Sequence, residues 1–214
     1  RIMHIFNTRM ASGILYELDM RLRPSGNAGL LVVHINTFTK YQEEDAWTWE
    51  HQALVRARAI YGHKNIESQF NTLRQNILCQ PRDQLKLVND VVDMRDKMRS
   101  HLDKSVESSI DIKQGFGGLV DIEFLAQYLV LQNSHQFTAV AKYSDNVSIF
   151  SQLAVDGVLS LPQKQILTQA YCQLRDQGHR AALQNEQLLL HGTVFQKLTA
   201  DVMVIWQKFL KKVE

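Results

Sequence analysis

Apolar residues recur every three or four positions along most of the 214-residue chain, and this spacing predicts a mainly helical protein. Two stretches near the start depart from it. Residues 14–22 alternate in the manner of a strand, and Leu30 to Val33 is a short apolar run bounded by Gly29 and the polar Asn36 and Thr37. Together they predict a two-stranded remnant. From residue 36 the period becomes helical, through Phe38 and Tyr41, through Trp47 to Tyr61, and then at Ile66, Phe70, Leu73 and Ile77. Pro81 is expected to start the next helix, with Leu85, Val88, Val92, Met98 and Leu102 marking one face. Residues 103–109 read as a polar linker, Ile110 to Ile112 as a short extended piece, and Gly115 to Gly118 as a loop. Leu119 to Leu131 is apolar enough for a buried helix. Two long helices are expected to close the chain, one from Pro162 to Leu183 and one carrying Val194, Leu198, Val202, Ile205 and Phe209. The predicted fold class is therefore mainly α, a helical bundle attached to a small β-containing remnant, with domains at 1–45 and 46–214.

With 24 Lys and Arg against 22 Asp and Glu, the net charge of +2 demands neither nucleic acid nor an anionic membrane as partner. The longest apolar run, Val202 to Trp206, is far shorter than the ~20 residues that cross a bilayer. Cys79 and Cys172 lie far apart with no C-x-x-C partner, which favours free thiols and a cytoplasmic location. The chain begins without methionine, in mid-pattern, and reads as a cut end.

Within Leu15 to Gly29 one acid, Asp19, shares a strand face with Glu17 and Arg21 and is followed by Arg23, Pro24, Ser25 and Gly26. A carboxylate beside guanidinium groups suits a metal-phosphate site, since the acid holds a divalent cation and the arginines bind phosphate oxygens. A solvated edge strand and a Pro-initiated turn explain the same residues without a ligand. A second candidate runs from Asp111 through Lys113 and the glycines at 115, 117 and 118 to Asp121 and Glu123. Glycines before a helix leave amides at its positive end for an anion, to which Lys113 adds a charge. Asp121 and Glu123 also suit a first helical turn with no ligand at all. Arg56 and Arg58 are expected to meet Glu50, Asp45 or Asp19 in salt bridges, and the alternating charges at Asp93, Arg95, Asp96, Lys97 and Arg99 read as a solvated face. No zinc, P-loop or G-x-S-x-G pattern is present.

The segment Leu15-Tyr16-Glu17-Leu18-Asp19-Met20-Arg21-Leu22-Arg23-Pro24-Ser25-Gly26 resembles the bifunctional glutamine synthetase adenylyltransferase/adenylyl-removing enzyme family. The likeness continues through Ala46 to Arg58, Met94 to Arg99 and Gly117 to Phe124, and covers nearly the whole chain. The resemblance implies a nucleotidyltransferase that moves AMP from ATP to a tyrosine of glutamine synthetase, with Mg2+ held by three carboxylates. Asp19 would be the third of these, a metal ligand and catalytic residue close enough to help remove the phenol proton. The other two acids and a G-S loop would lie before Arg1, so the fragment is expected to be inactive alone. Arg21, Arg23, Ser25, Lys113, Gly117 and Gly118 are the implied phosphate contacts. Asp121-Ile122-Glu123, where the deadenylylating half would carry Glu-Ile-Glu, resembles the adenylylating half; the deadenylylating half remains the alternative. The family's partners include glutamine synthetase and the PII signal protein, with glutamine as effector, and a helical docking module for either protein is a further reading.

Overall fold

A computed structural model describes residues 2–11, 13, 18–20, 23–106, 109–190 and 193–211. The chain divides into two compact units, Arg1–Ala46 and Trp47–Glu214.

The first unit contains α1 (Ile2–Asn7), a 3-10 turn at Gly26–Ala28 and α2 (Ile35–Glu44). The strand pair predicted here is not formed by the described residues: 18–20 and 30–33 are irregular. Residues 14–17 and 21–22 of the first predicted strand lie outside the described residues. Leu30, Leu31 and Val32 are exposed. A lone two-stranded ribbon is marginal in water unless another layer covers its apolar face, and apolar character alone does not pair a strand.

The second unit is a helical bundle: α3 (Thr48–Arg56), α4 (Lys64–Leu78), α5 (Gln84–Leu102), α6 (Leu119–Asn133), α7 (Asn146–Val155), α8 (Leu161–Gln184) and α9 (Thr193–Phe209). Its organising element is α6, which packs against α3, α5, α7, α8 and α9. Ile122, Leu125, Tyr128, Leu129 and Leu131 are all buried, as a helix apolar on every side must be. The β content sits in this unit. Strand β1 (Ile110–Asp111) pairs antiparallel with β2 (Leu189–Leu190), Ile110 opposite Leu190 and Asp111 opposite Leu189.

Local signals set the helix ends. Asp83, not Pro81, caps α5, its carboxylate accepting from the Lys86 amide at 2.9 Å. Ser160 and Gln163 form a reciprocal capping box on α8. Helix α3 stops at Arg56, short of the predicted Tyr61, and Arg74 of α4 binds its last turn. The buried guanidinium donates to the carbonyls of Leu54 at 3.0 Å and Val55 at 2.6 Å, and also to those of Ala141 and Tyr143. A cation there satisfies the open carbonyls and complements the helix dipole. Among the described residues no helix is long and apolar enough to cross a membrane.

Candidate functional site

In the first unit Asp19 is exposed, in an irregular segment rather than on a strand. Arg21 lies outside the described residues. Arg23 folds back on its own turn, donating to the carbonyls of Met20, Gly29 at 3.2 Å and Asn27 at 3.3 Å. Its guanidinium is a clasp for the Pro24-Ser25 turn. Ser25 sits in the left-handed region at φ 61°, and its amide donates to the Tyr41 hydroxyl at 3.1 Å. The turn is thereby tied to α2 within the same unit.

In the second unit Lys113, Gly117 and Gly118 share the loop that leads from β1 into α6, and the loop's amides are already engaged. Asp111 accepts from the amides of Lys113 and Gln114, each at 2.8 Å. The Gly118 amide donates to Gly115 O at 2.9 Å, Leu119 N to Ile112 O at 2.9 Å and Val120 N to Lys113 O at 3.1 Å. Gly117 donates to the Asp121 carboxylate at 2.7 Å. The expected cradle of free amides at Gly117 and Gly118 is therefore not formed. The anion at the positive end of α6 is the protein's own Asp121.

Asp121 and Arg95 are both fully buried. Arg95 Nε lies 2.5 Å from Asp121 Oδ1, while Arg99 Nη2 reaches both carboxylate oxygens at 2.7 and 2.9 Å. Arg95 also donates to Gln114, at 3.0 Å to its side-chain oxygen and 2.7 Å to its carbonyl. Burial pulls the Arg95 guanidinium down from its ordinary value, and the Asp121 charge opposes that shift. Phe116 covers the outer side of the network, its ring 3.9 Å from the Arg99 guanidinium carbon. Gly117 has φ 71°, and a Cβ there would lie 2.2 Å from the Thr199 carbonyl oxygen of α9. Only glycine permits so close an approach.

Glu123, two residues past Asp121, points to another side of α6, as 3.6 residues per turn requires. It meets Arg56 of α3 at 3.3 Å, and Arg56 also donates to Asn146 of α7 at 3.3 Å. Arg56 thus pairs with Glu123, and the Glu50 carboxylate accepts the Trp47 amide at 2.9 Å. Arg58 lies beyond the helix and is exposed.

The arginine pair of α5 is what the sequence reading missed. Arg95 falls on the stripe of Leu87, Val88 and Val91, at the i, i+4 and i+7 positions that the apolar face itself defines. Sign alternation concealed it, and the stripe was the signal that placed it inside. Among the described residues no three His, Cys, Asp or Glu side chains converge as metal ligands. These residues therefore do not by themselves fit a magnesium ion.

Residues 1–73 match the family model of glutamate-ammonia ligase adenylyltransferase, and residues 89–203 match that of GlnD PII-uridylyltransferase. The bifunctional glutamine synthetase adenylyltransferase/adenylyl-removing enzyme of Psychromonas ingrahamii is 48% identical over 211 residues, which are 98% of this chain. The chain spans 22% of that relative's length.

Proposed function

Because the chain belongs to the glutamate-ammonia ligase adenylyltransferase family, we propose that it forms part of an enzyme that adenylylates glutamine synthetase. In that reaction a tyrosine oxygen attacks the α-phosphorus of ATP, the bond to the β-phosphate breaks, pyrophosphate leaves and the phenol gives up its proton. The observation that carries the reading is the extent of the likeness, 48% identity across both the Asp19 segment and the helical bundle. Asp19, exposed in the first unit, contributes one carboxylate to the nucleotide site, and Arg21 is its proposed phosphate contact. Lys113 is the cation of the β1–α6 loop that stays open to an anion, whereas Gly117 and Gly118 act by letting that loop pack.

The Asp121-Ile122-Glu123 wording supports the adenylylating half over the deadenylylating one. The test is transfer of labelled AMP to glutamine synthetase. The 214-residue chain alone is expected to show none. In a polypeptide that also carries a G-S loop and an acidic pair ahead of Arg1, Asp19→Asn is expected to abolish transfer while the fold persists. Robust turnover by the chain alone would defeat the first expectation, and near-normal activity of the variant would remove Asp19 from the site.

A second reading concerns the bundle. The polar residues of its resemblance segments bind one another, Asp121 with Arg95 and Arg99 and Glu123 with Arg56. Such pairing suits a scaffold that presents a surface to glutamine synthetase or the PII protein. Nucleotide-independent binding of either protein is the measurement that distinguishes it.

A further inference from the structure

A cavity of about 540 Å³ lies where the end of α5 meets the β1–β2 pair. Its apolar wall is Leu102, Leu188 and Leu189, and its polar wall includes Lys104, Lys113, Gln114 and Glu186. Leu102 is 47% exposed and Leu188 38%, so this wall offers aliphatic surface that nothing in the unit covers among the described residues.

The polar groups are held in place before any ligand arrives. Asp111 accepts the Lys113 amide at 2.8 Å and the Lys104 amide at 3.3 Å, so one buried carboxylate fixes the backbone of both lysines. Their ammonium groups have no ion-pair partner among the described residues. Gln114 is only 7% exposed. Its side-chain oxygen faces Arg95 Nη1 at 3.0 Å, an orientation required because arginine only donates. Its amide NH2 is then left without a hydrogen bond to the described residues. Three donor groups thus meet an aliphatic wall, while the Asp111 oxygens are turned to backbone amides.

We infer that this cavity binds a small, singly charged carboxylate with a short aliphatic body, its oxygens held by Lys104, Lys113 and the Gln114 amide. Charge-assisted hydrogen bonds from the lysines supply the attraction. Lys104 and Lys113 are balanced by Asp111 and Glu186 in the lining, so a monoanion adds one net negative charge and a phosphate dianion two, which favours the carboxylate. Through Gln114 the bound anion would touch the residue that Arg95 holds, and so adjoin the Asp121 network. This inference stands whether or not the chain takes part in AMP transfer.

The experiment is NMR titration of the isotope-labelled 214-residue chain with hexanoate and, separately, with inorganic phosphate. Hexanoate is expected to give saturable shifts of the Gln114 side-chain NH2 and of the Lys104 and Lys113 signals. Lys113→Gln and Gln114→Glu should each weaken this binding by about tenfold or more, the loss of one charge-assisted hydrogen bond. Gln114→Glu keeps an acceptor for Arg95, and Lys113→Gln changes an exposed side chain, so at least one variant reports on a folded protein. Absence of saturable shifts, or affinity unchanged in the folded variants, would overturn the site. Tighter binding of inorganic phosphate than of hexanoate would overturn the carboxylate assignment.

Discussion

Replacing Asp121 by asparagine changes one heavy atom, a carboxylate oxygen to an amide nitrogen, and isolates the ionic network at the start of α6. The carboxylate receives donors only: Arg95 Nε at 2.5 Å, Arg99 Nη2 at 2.7 and 2.9 Å, and the Gly117 amide at 2.7 Å. An asparagine retains one acceptor and turns an NH2 toward groups that also donate. Placing the oxygen at the Oδ1 position keeps the Arg95 bond but leaves the Gly117 amide unsatisfied. The fully buried Arg95 guanidinium also loses its counter-charge. Breaking a buried pair by removing one partner costs about 3–5 kcal/mol, because the remaining charge stays desolvated. At about 2–4 °C per kcal/mol for a domain of this size, the melting temperature should fall by about 6–20 °C. Thermal unfolding followed by tryptophan fluorescence is the assay, because all three tryptophans, Trp47, Trp49 and Trp206, belong to the second unit. Arg95→Met combined with Asp121→Leu should destabilise less than the sum of the single changes, by about 1–3 kcal/mol. A melting temperature within about 2 °C of the parent for Asp121→Asn, or strict additivity in the cycle, would refute the reasoning.

Gly117→Ala forces a Cβ against the Thr199 carbonyl at a positive φ and should cost about 2–4 kcal/mol, with faster hydrogen exchange around Thr199. Gly157→Ala, also at positive φ but with open space around it, should cost only about 1 kcal/mol; equal losses would show that α9 does not press on the loop. Burial holds the Tyr128 phenol up at about 12, against an ordinary 10.0. The unfolded chain therefore releases this proton first, and the stability it contributes is intact below pH 10 and lost as the pH rises toward 12. Urea midpoints across that window should fall less steeply for Tyr128→Phe, and parallel slopes would count against the assignment.

Periodicity in the sequence was enough to locate α4, α6, α8 and α9, because a helix that buries one stripe must repeat every 3.6 residues and a central helix must be apolar throughout. The short α7 was not read. Its ten residues span under three turns, which leaves a periodic signal little room. The resemblance segments likewise identified Arg95, Arg99, Asp121 and Glu123 as belonging to motifs, without saying what they do. Only tertiary structure decided that Arg95 is an interior cation and that Asp121 takes the place an external anion would have at the head of α6. Local sequence records residue type and spacing. Whether a charge meets solvent, a ligand or another charge depends on which distant element packs against it, here α5 and α3 on α6 and α9 on Gly117.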